Sequence, residues 1–220
     1  MLRLDKSYLL GVCAGMLLSA CVNYFPNDEL RLRVEMVATV GGEAPQIIDG
    51  LVDMGNNIYI YTALLHIGSV DVHTDATVLR SNGSVNVDLL RRMVIFETQR
   101  EDTWIDSVTV DVPQPPEGSG VVAGERIAVF IGGLIDEAPF EYRATALGGW
   151  SIEIAEELPL SETVLTVAFD LQSWFSDIDL SQLEEGVDGY RIDAENNSEE
   201  AAAIEENIKE AAAVDYELDD

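Results

Sequence analysis

Alternation of apolar and polar residues in many short segments is the feature that most constrains the fold of this chain. The clearest segment runs from Leu30 to Ala38, and its apolar members are Leu30, Leu32, Val34, Met36 and Ala38. Arg31, Arg33 and Glu35 lie between them. Because successive side chains of a strand point to opposite faces, this period of two predicts a β-strand with one face on a core.

Further strands are predicted along the chain, each bounded by turn residues. They cover residues 58–73 with a break at Gly68, 76–80, 84–88, 104–112, 126–134, 140–146, 150–154, 165–171 and 190–193. Asn82-Gly83 predicts a tight hairpin between 76–80 and 84–88, and the prolines and glycines of 113–120 predict a loop. Short strands at such intervals are typical of a sandwich or a barrel. We predict an all-β fold, an antiparallel β-sandwich, immunoglobulin-like or related, over residues 29–193.

The C-terminal segment, residues 194–214, predicts the single α-helix of the fold. Asn197 precedes an Ala-rich run that is acidic early and carries Lys209 late, which matches the helix dipole. Ile204 and Ile208 are four residues apart and therefore share the face that we expect to dock on the sheet. Residues 179–185 predict one or two helical turns, and residues 215–220 predict a loose acidic tail.

The N-terminus has the layout of a signal peptide. Arg3 and Lys6 precede an apolar stretch from Leu9 to Leu18, which is short of the ~20 residues that span a bilayer. The following Leu18-Ser19-Ala20-Cys21 resembles a lipobox, so residues 1–25 resemble the start of a bacterial lipoprotein precursor. The resemblance implies removal of residues 1–20, a diacylglycerol on the Cys21 sulfur, acylation (palmitate) of the new terminus, and a tether over residues 21–28. Val22 after that Cys implies the outer membrane, facing the periplasm or the cell surface.

Cysteine usage narrows the chemistry of the mature chain. Cys13 leaves with the signal peptide and Cys21 is committed to lipid, so no disulfide, redox pair, thiolate zinc cluster or Cys nucleophile is expected.

The net charge of the chain limits the classes of molecule that it can bind. Without residues 1–20, which hold Asp5, Arg3 and Lys6, the 41 acidic and 12 basic side chains of the chain fall to 40 and ten. A formal charge of −29 for the whole chain repels phosphate backbones, which excludes nucleic-acid binding. Acidic excess with a single mature Lys also suggests salty surroundings, where screening relieves self-repulsion.

Two acidic patterns suggest metal ligands. Asp71, His73 and Asp75 share one face if the segment is extended, and an imidazole between two carboxylates suits a divalent cation. His66 shares the face of Ile58 and Ile60, where we expect a core or rim histidine. The offsets of Asp177, Asp179, Ser181, Glu185 and Asp188 mimic a calcium loop, but Gln182 stands at the position of its Gly, so solvated acids around a turn are expected.

Catalysis has little support in the sequence. There is no G-x-S-x-G elbow, the glycines of 118–124 lead into a strand and lack phosphate-loop spacing, and no carboxylate pair stands out. We expect Tyr59, Tyr61, Trp174 and Phe175 to pack in the core rather than to stack on a ligand.

The segment from Phe169 to Phe175, with the turn and helix after it, resembles the end of uncharacterised bacterial β-sandwich lipoproteins, which implies no activity. The expected function is therefore a non-catalytic, lipid-anchored envelope protein with a binding or structural role toward a protein or glycan. The alternatives are a lipoprotein that binds Ca, Cu or Zn and, third, a hydrolase that uses paired carboxylates.

Overall fold

The computed structural model describes residues 31–100, 104–158, 163–176 and 178–218. These residues form 16 β-strands, two α-helices and a short 3₁₀ helix at Leu180–Gln182. In chain order the elements are β1 Arg31–Thr39, β2 Ile47–Ile48, β3 Leu51–Asp53, β4 Ile58–Ile67, β5 Ser69–Thr74, β6 Val78–Arg80, β7 Val85–Asp88, β8 Met93–Gln99, β9 Trp104–Val112, β10 Val129–Ile135, β11 Ala138–Ala144, β12 Gly148–Glu157, β13 Thr163–Asp170, α1 Leu171–Trp174, β14 Glu185–Gly186, β15 Gly189–Ile192, α2 Ser198–Glu210 and β16 Ala212–Leu218.

The strands form three sheets, and the fold is mostly β and sandwich-like, as the alternation predicted. Sheet I has the order β16-β13-β1-β8. Sheet II has the order β14-β15-β11-β10-β4-β3-β2, with β7 also paired to β4. Sheet III has the order β12-β9-β5-β6.

Sheets I and II are mixed rather than purely antiparallel. β1 pairs in parallel with β13, with Leu32 opposite Thr163, and β11 pairs in parallel with β15. A tight turn can join only antiparallel neighbours, whereas partners far apart in sequence are free to run in the same direction. The antiparallel prediction is therefore wrong for these two pairs.

The core is one cluster to which all three sheets and both α-helices contribute. The predicted inward face of β1 is confirmed, since Leu32, Val34, Met36 and Ala38 are fully buried. On α2, Ile204 and Ile208 are fully buried too, which confirms the predicted docking face. Each large aliphatic side chain so buried contributes roughly 1.5–3 kcal/mol.

The hairpin predicted at Asn82-Gly83 does not form, because β6 pairs with β5 in sheet III and β7 pairs with β4 in sheet II. The chain crosses between two sheets there, and Gly83 uses its positive φ of 77° in the crossing. The hairpin lies one turn earlier, between β5 and β6. Thr74 N–H donates to the Thr77 carbonyl (2.9 Å), and Thr77 N–H donates to Thr74 Oγ1 (3.0 Å).

The structure confirms a C-terminal helix but differs from the prediction for the residues after it. Helix α2 ends at Glu210, and residues 212–218 form β16, antiparallel to β13 with Val214 opposite Val167. The loose acidic tail is therefore wrong for residues 215–218, and residues 219–220 lie outside the described residues. A strand is compatible with the charge because Asp215 and Glu217 alternate with Val214 and Tyr216, and it covers the β13 edge that would otherwise be open.

Candidate functional site

The predicted lipid attachment at Cys21, the signal peptide 1–20 and the tether 21–28 lie outside the described residues. No helix in the described part of the chain is both long enough and apolar enough to cross a membrane.

The three predicted metal ligands are not assembled into a metal centre. β5 ends at Thr74, so Asp75 lies in the turn rather than on the strand face of Asp71 and His73. The Asp71 carboxylate is occupied by Arg80, whose Nε and Nη2 donate at 2.8 and 2.5 Å. Within the described ranges, no three His, Cys, Asp or Glu side chains come together in a way that could hold a metal ion. The strand end and the Arg80 ion pair account for the difference from the prediction.

His73 instead takes part in a row of hydrogen bonds with two hydroxyl side chains on the outer face of sheet III. Its Nε2 and Thr109 Oγ1 share a hydrogen bond of 3.0 Å, and Thr109 Oγ1 is 2.8 Å from Ser151 Oγ. The hydrogen bond to Asp71 raises the pKa of the Arg80 guanidinium, so the ion pair at the edge of this face persists at any pH where the carboxylate is charged. The chain of contacts joins β5, β9 and β12.

His66 is a core histidine, as expected. It is 2% exposed, and its Nδ1 donates to Asn86 Oδ1 at 2.7 Å. A buried imidazole with a partner on the neighbouring β7 satisfies its hydrogen-bonding need.

Among the residues with calcium-loop offsets, Asp179 caps the short 3₁₀ helix. Asp179 precedes the 3₁₀ helix and accepts hydrogen bonds from Ser181 N (3.0 Å) and Ser181 Oγ (2.6 Å), which lower the pKa of the Asp179 carboxyl. Asp177 lies outside the described residues. Glu185 and Asp188 are exposed, as expected for solvated acids.

The predicted core aromatics divide into two groups. Trp174 is fully buried and Phe175 is 5% exposed, and both make edge contacts, with Phe169 and Phe140 respectively. Tyr59 is half-buried, whereas Tyr61 is 47% exposed, so the core prediction is wrong for Tyr61.

A groove of about 450 Å³ lies on the outer face of sheet I, and we call it the sheet I groove. Its floor has small side chains on β1 and β13, and its wall comes from the segments after β1 and before β8. Its lining includes Val37, Pro45, Leu90, Arg92, Thr166, Ala168, Asp215 and Glu217. This volume falls in the range of small-ligand sites, roughly 300–1,000 Å³.

Arg92 is one of the residues that line this groove. The guanidinium Nη1 of Arg92 lies 2.8 Å from Glu217 Oε1 and 3.4 Å from Glu35 Oε2. Glu35 sits in one cross-strand row with Thr166 and Asp215. Glu35 is only 6% exposed, and its buried Oε2 atom has no hydrogen-bond partner among the described residues. The carboxylates of Glu35 and Glu217 therefore share the Arg92 guanidinium.

Sequence reasoning missed this groove, because its residues come from β1, β13, β16 and two loops that only the fold brings together. The sequence did contain one indication of a charged site on this sheet. Glu35 stands on the polar side of a strand that is otherwise packed, and the pair Arg91-Arg92 is one of few basic clusters in so acidic a chain.

Comparison of the chain with protein-family models, with curated proteins and with solved structures finds no match in any of the three.

Proposed function

We propose that the protein is a non-catalytic, lipid-anchored component of the cell envelope that binds a partner in the sheet I groove. In this proposal the lipid on Cys21 holds the chain at the outer membrane, and the β body reaches into the periplasm or lies on the cell surface.

The anchor rests on the sequence pattern of the N-terminus. Leu18-Ser19-Ala20-Cys21 follows an apolar stretch that is too short to span a bilayer, which favours a removed signal over a retained helix. Each buried acyl methylene contributes ~0.8 kcal/mol, so two or three chains hold a protein durably.

The position of the groove carries the binding half of the proposal. β1 is the first described strand, and it runs from Arg31, ten residues after Cys21, to Thr39. On β1 the groove is lined from Val37 onward, which at ~3.3 Å per residue is about 20 Å along the strand from Arg31. Thr166 and Glu217 extend the groove to the cross-strand rows of Glu35 and Arg33. The floor at Val37 and Ala168 is therefore the part of the groove that is most remote from the tether, and a partner would meet the groove there.

Palmitate labelling of the full chain in a bacterium with an outer membrane tests the anchor. We expect label and outer-membrane fractionation for the wild type and for the matched control Cys13→Ala, and neither for Cys21→Ala. Label that persists in Cys21→Ala, or that is absent from the wild type, contradicts the anchor.

A photo-cross-linking amino acid placed in the same cells tests the binding half. We expect a discrete adduct from position 168, in the groove floor, and none from position 151, on the face of sheet III. Equal adducts from both positions, or none from either, contradict partner binding at this groove.

A further inference from the structure

We infer that Asn82 is a site of spontaneous covalent modification, at which the side-chain amide is lost as ammonia and an aspartate or an isoaspartate remains. The inference rests on the structure around Asn82-Gly83 and is independent of the sheet I groove.

The chemistry at Asn82 needs only the next residue and water. The backbone nitrogen of Gly83, once it has lost its proton to a base in the solvent, attacks Cγ of Asn82 and closes a succinimide ring. The bond between Cγ and the side-chain nitrogen breaks, and this nitrogen leaves with a proton as ammonia. Water then opens either imide bond of the ring, so the net change converts an amide and water into a carboxylic acid and ammonia. The attack is favoured because both groups belong to the same short stretch of chain.

Gly83 gives its backbone nitrogen access to the Asn82 side chain. A residue without Cβ places no side-chain atom in the way of ring closure, and its backbone can adopt the conformations that the closure requires. Gly83 has a φ of 77°, and a Cβ added there would meet nothing within 4 Å. The space around the attacking nitrogen is therefore open.

No contact has to break before the ring closes. Asn82 and Gly83 are exposed and lie outside the strands, between β6 and β7. Among the described residues, neither the Asn82 side chain nor the Gly83 N–H has a hydrogen-bond partner. Both reacting groups are therefore free to approach each other in the folded protein.

Other asparagines of the described chain differ from Asn82 in their contacts or in the residue that follows them. Asn82-Gly83 is the only Asn-Gly pair in the sequence. Asn56 is also exposed, but Asn57 follows it and carries a Cβ. The asparagines that make side-chain hydrogen bonds to other parts of the chain are Asn57, Asn86, Asn196, Asn197 and Asn207.

The modification would alter a chain crossing that is held at both ends. Ser81 N–H donates to the Val70 carbonyl (3.0 Å), and Ser81 Oγ accepts from Val70 N–H (2.9 Å), which fixes the crossing to sheet III. Val85 pairs with Ile67, which fixes it to sheet II. An isoaspartate carries the main chain through its side chain and so lengthens the backbone by one atom. Residues 82–84 would have to take up this extra length.

Ageing of the full chain in detergent micelles, followed by trypsin digestion and fragment-ion mass spectrometry, tests the inference. Samples are incubated at neutral and at mildly alkaline pH, and a freshly purified sample corrects for conversion during digestion. Cleavage after Arg80 and Arg91 places Asn82 and Asn86 in one peptide. Asn86, which is held by His66 (2.7 Å), is therefore an internal control.

Two variants isolate the contribution of the glycine. Gly83→Ala leaves the segment exposed but adds a Cβ next to the attacking nitrogen. Asn57→Gly places a glycine after Asn56, at an exposed turn where φ is already 60°. Near-ultraviolet circular dichroism of each variant checks that the fold is retained.

We expect Asn82 to convert at least about tenfold faster than Asn86, which corresponds to a barrier lower by about 1.4 kcal/mol. The rate should rise at alkaline pH, because the attacking nitrogen must lose its proton. Gly83→Ala should slow the conversion of Asn82 about tenfold, and Asn57→Gly should make Asn56 convert at a rate close to that of Asn82. An Asn82 that stays intact or converts no faster than Asn86 overturns the inference. An unchanged rate in folded Gly83→Ala, or an Asn56 that stays intact in Asn57→Gly, overturns it as well.

Discussion

The Nη1 atom of Arg92 lies 3.4 Å from Oε2 of Glu35, a carboxylate oxygen that is buried in the outer face of sheet I without a hydrogen bond. The Arg92 side chain is 53% exposed and that of Glu35 is 8% exposed. The pair therefore joins a buried anion to a cation that water partly screens.

Removal of Arg92 should destabilise the fold through this carboxylate. We expect Arg92→Gln to lower the free energy of unfolding by about 1 kcal/mol. This is the low end of the cost of leaving a buried polar group without a partner, because Arg92 itself is half exposed and water screens its charge. Urea unfolding measures it, and Glu35→Gln/Arg92→Gln should recover the loss. Arg91→Gln is the control, since Arg91 is 82% exposed and pairs only with Asp88 among the described ion pairs. Equal effects of the Arg91 and Arg92 changes would contradict the buried role of Glu35.

Asp193 should stabilise the fold in a pH-dependent way. Burial raises the pKa of its carboxyl, but hydrogen bonds from Arg191, from the Asn196 side chain and from the backbone N–H groups of Glu195 and Asn196 outweigh it and lower the pKa to about 2. Because the folded pKa lies below the unfolded one, the stabilisation is present above about pH 4 and is lost as the pH falls toward 2. We expect Asp193→Asn to cost on the order of 1–2 kcal/mol at pH 7. This gap should narrow between pH 4 and 2.

Denaturant unfolding across that pH window checks the Asp193 prediction. Asp188→Asn, at an exposed residue nearby, is the control and should leave stability unchanged at every pH. A constant gap between wild type and Asp193→Asn down to pH 2 would be the opposite result.

The C-terminal strand should be needed for stability. A chain that stops after Ala211 lacks β16, which exposes the β13 edge and removes a ladder that runs from Thr163–Leu218 to Phe169–Ala212. We expect a loss of at least about 2 kcal/mol in urea unfolding. A chain that stops after Leu218 should match the wild type, and equal stability of both truncations would show that β16 contributes nothing.

High salt should stabilise this protein. The formal charge of −29 opposes compaction by self-repulsion, and the Debye length falls from ~10 Å at 0.1 M to ~3 Å at 1 M salt. We expect the melting temperature to rise steadily from dilute buffer to molar NaCl. A flat or falling melting temperature would remove the proposed adaptation to salty surroundings.

The fold was predictable where local pattern decides it. The alternation from Leu30 to Ala38 predicted the inward face of β1, and Ile204 with Ile208 predicted the docking face of α2, because burial of one face sets both periods. Local sequence signals gave the wrong strand pairing where a segment pairs with a strand that is distant in sequence. Asn82-Gly83 looks like a hairpin, yet β7 places the fully buried Val87 opposite Leu65 in sheet II.

The candidate site was less predictable than the fold. A count of charges could not place residues 215–218 in a strand, since the open edge of β13 that they cover is not visible in sequence. Asp71 and His73 do share a strand, but Arg80 reaches Asp71 only through the register of β5 and β6. The sheet I groove depends on strands more than 120 residues apart, such as β1 and β13.

Intact mass and peptide mass spectrometry of the protein purified from its native membrane tests the lipid anchor most directly. We expect a chain that begins at Cys21, with residues 1–20 absent, diacylglycerol on the thioether and an acyl group on the new amino terminus. A product that retains Met1 and carries an unmodified Cys21 thiol would contradict the anchor and, with it, the assignment to the cell envelope.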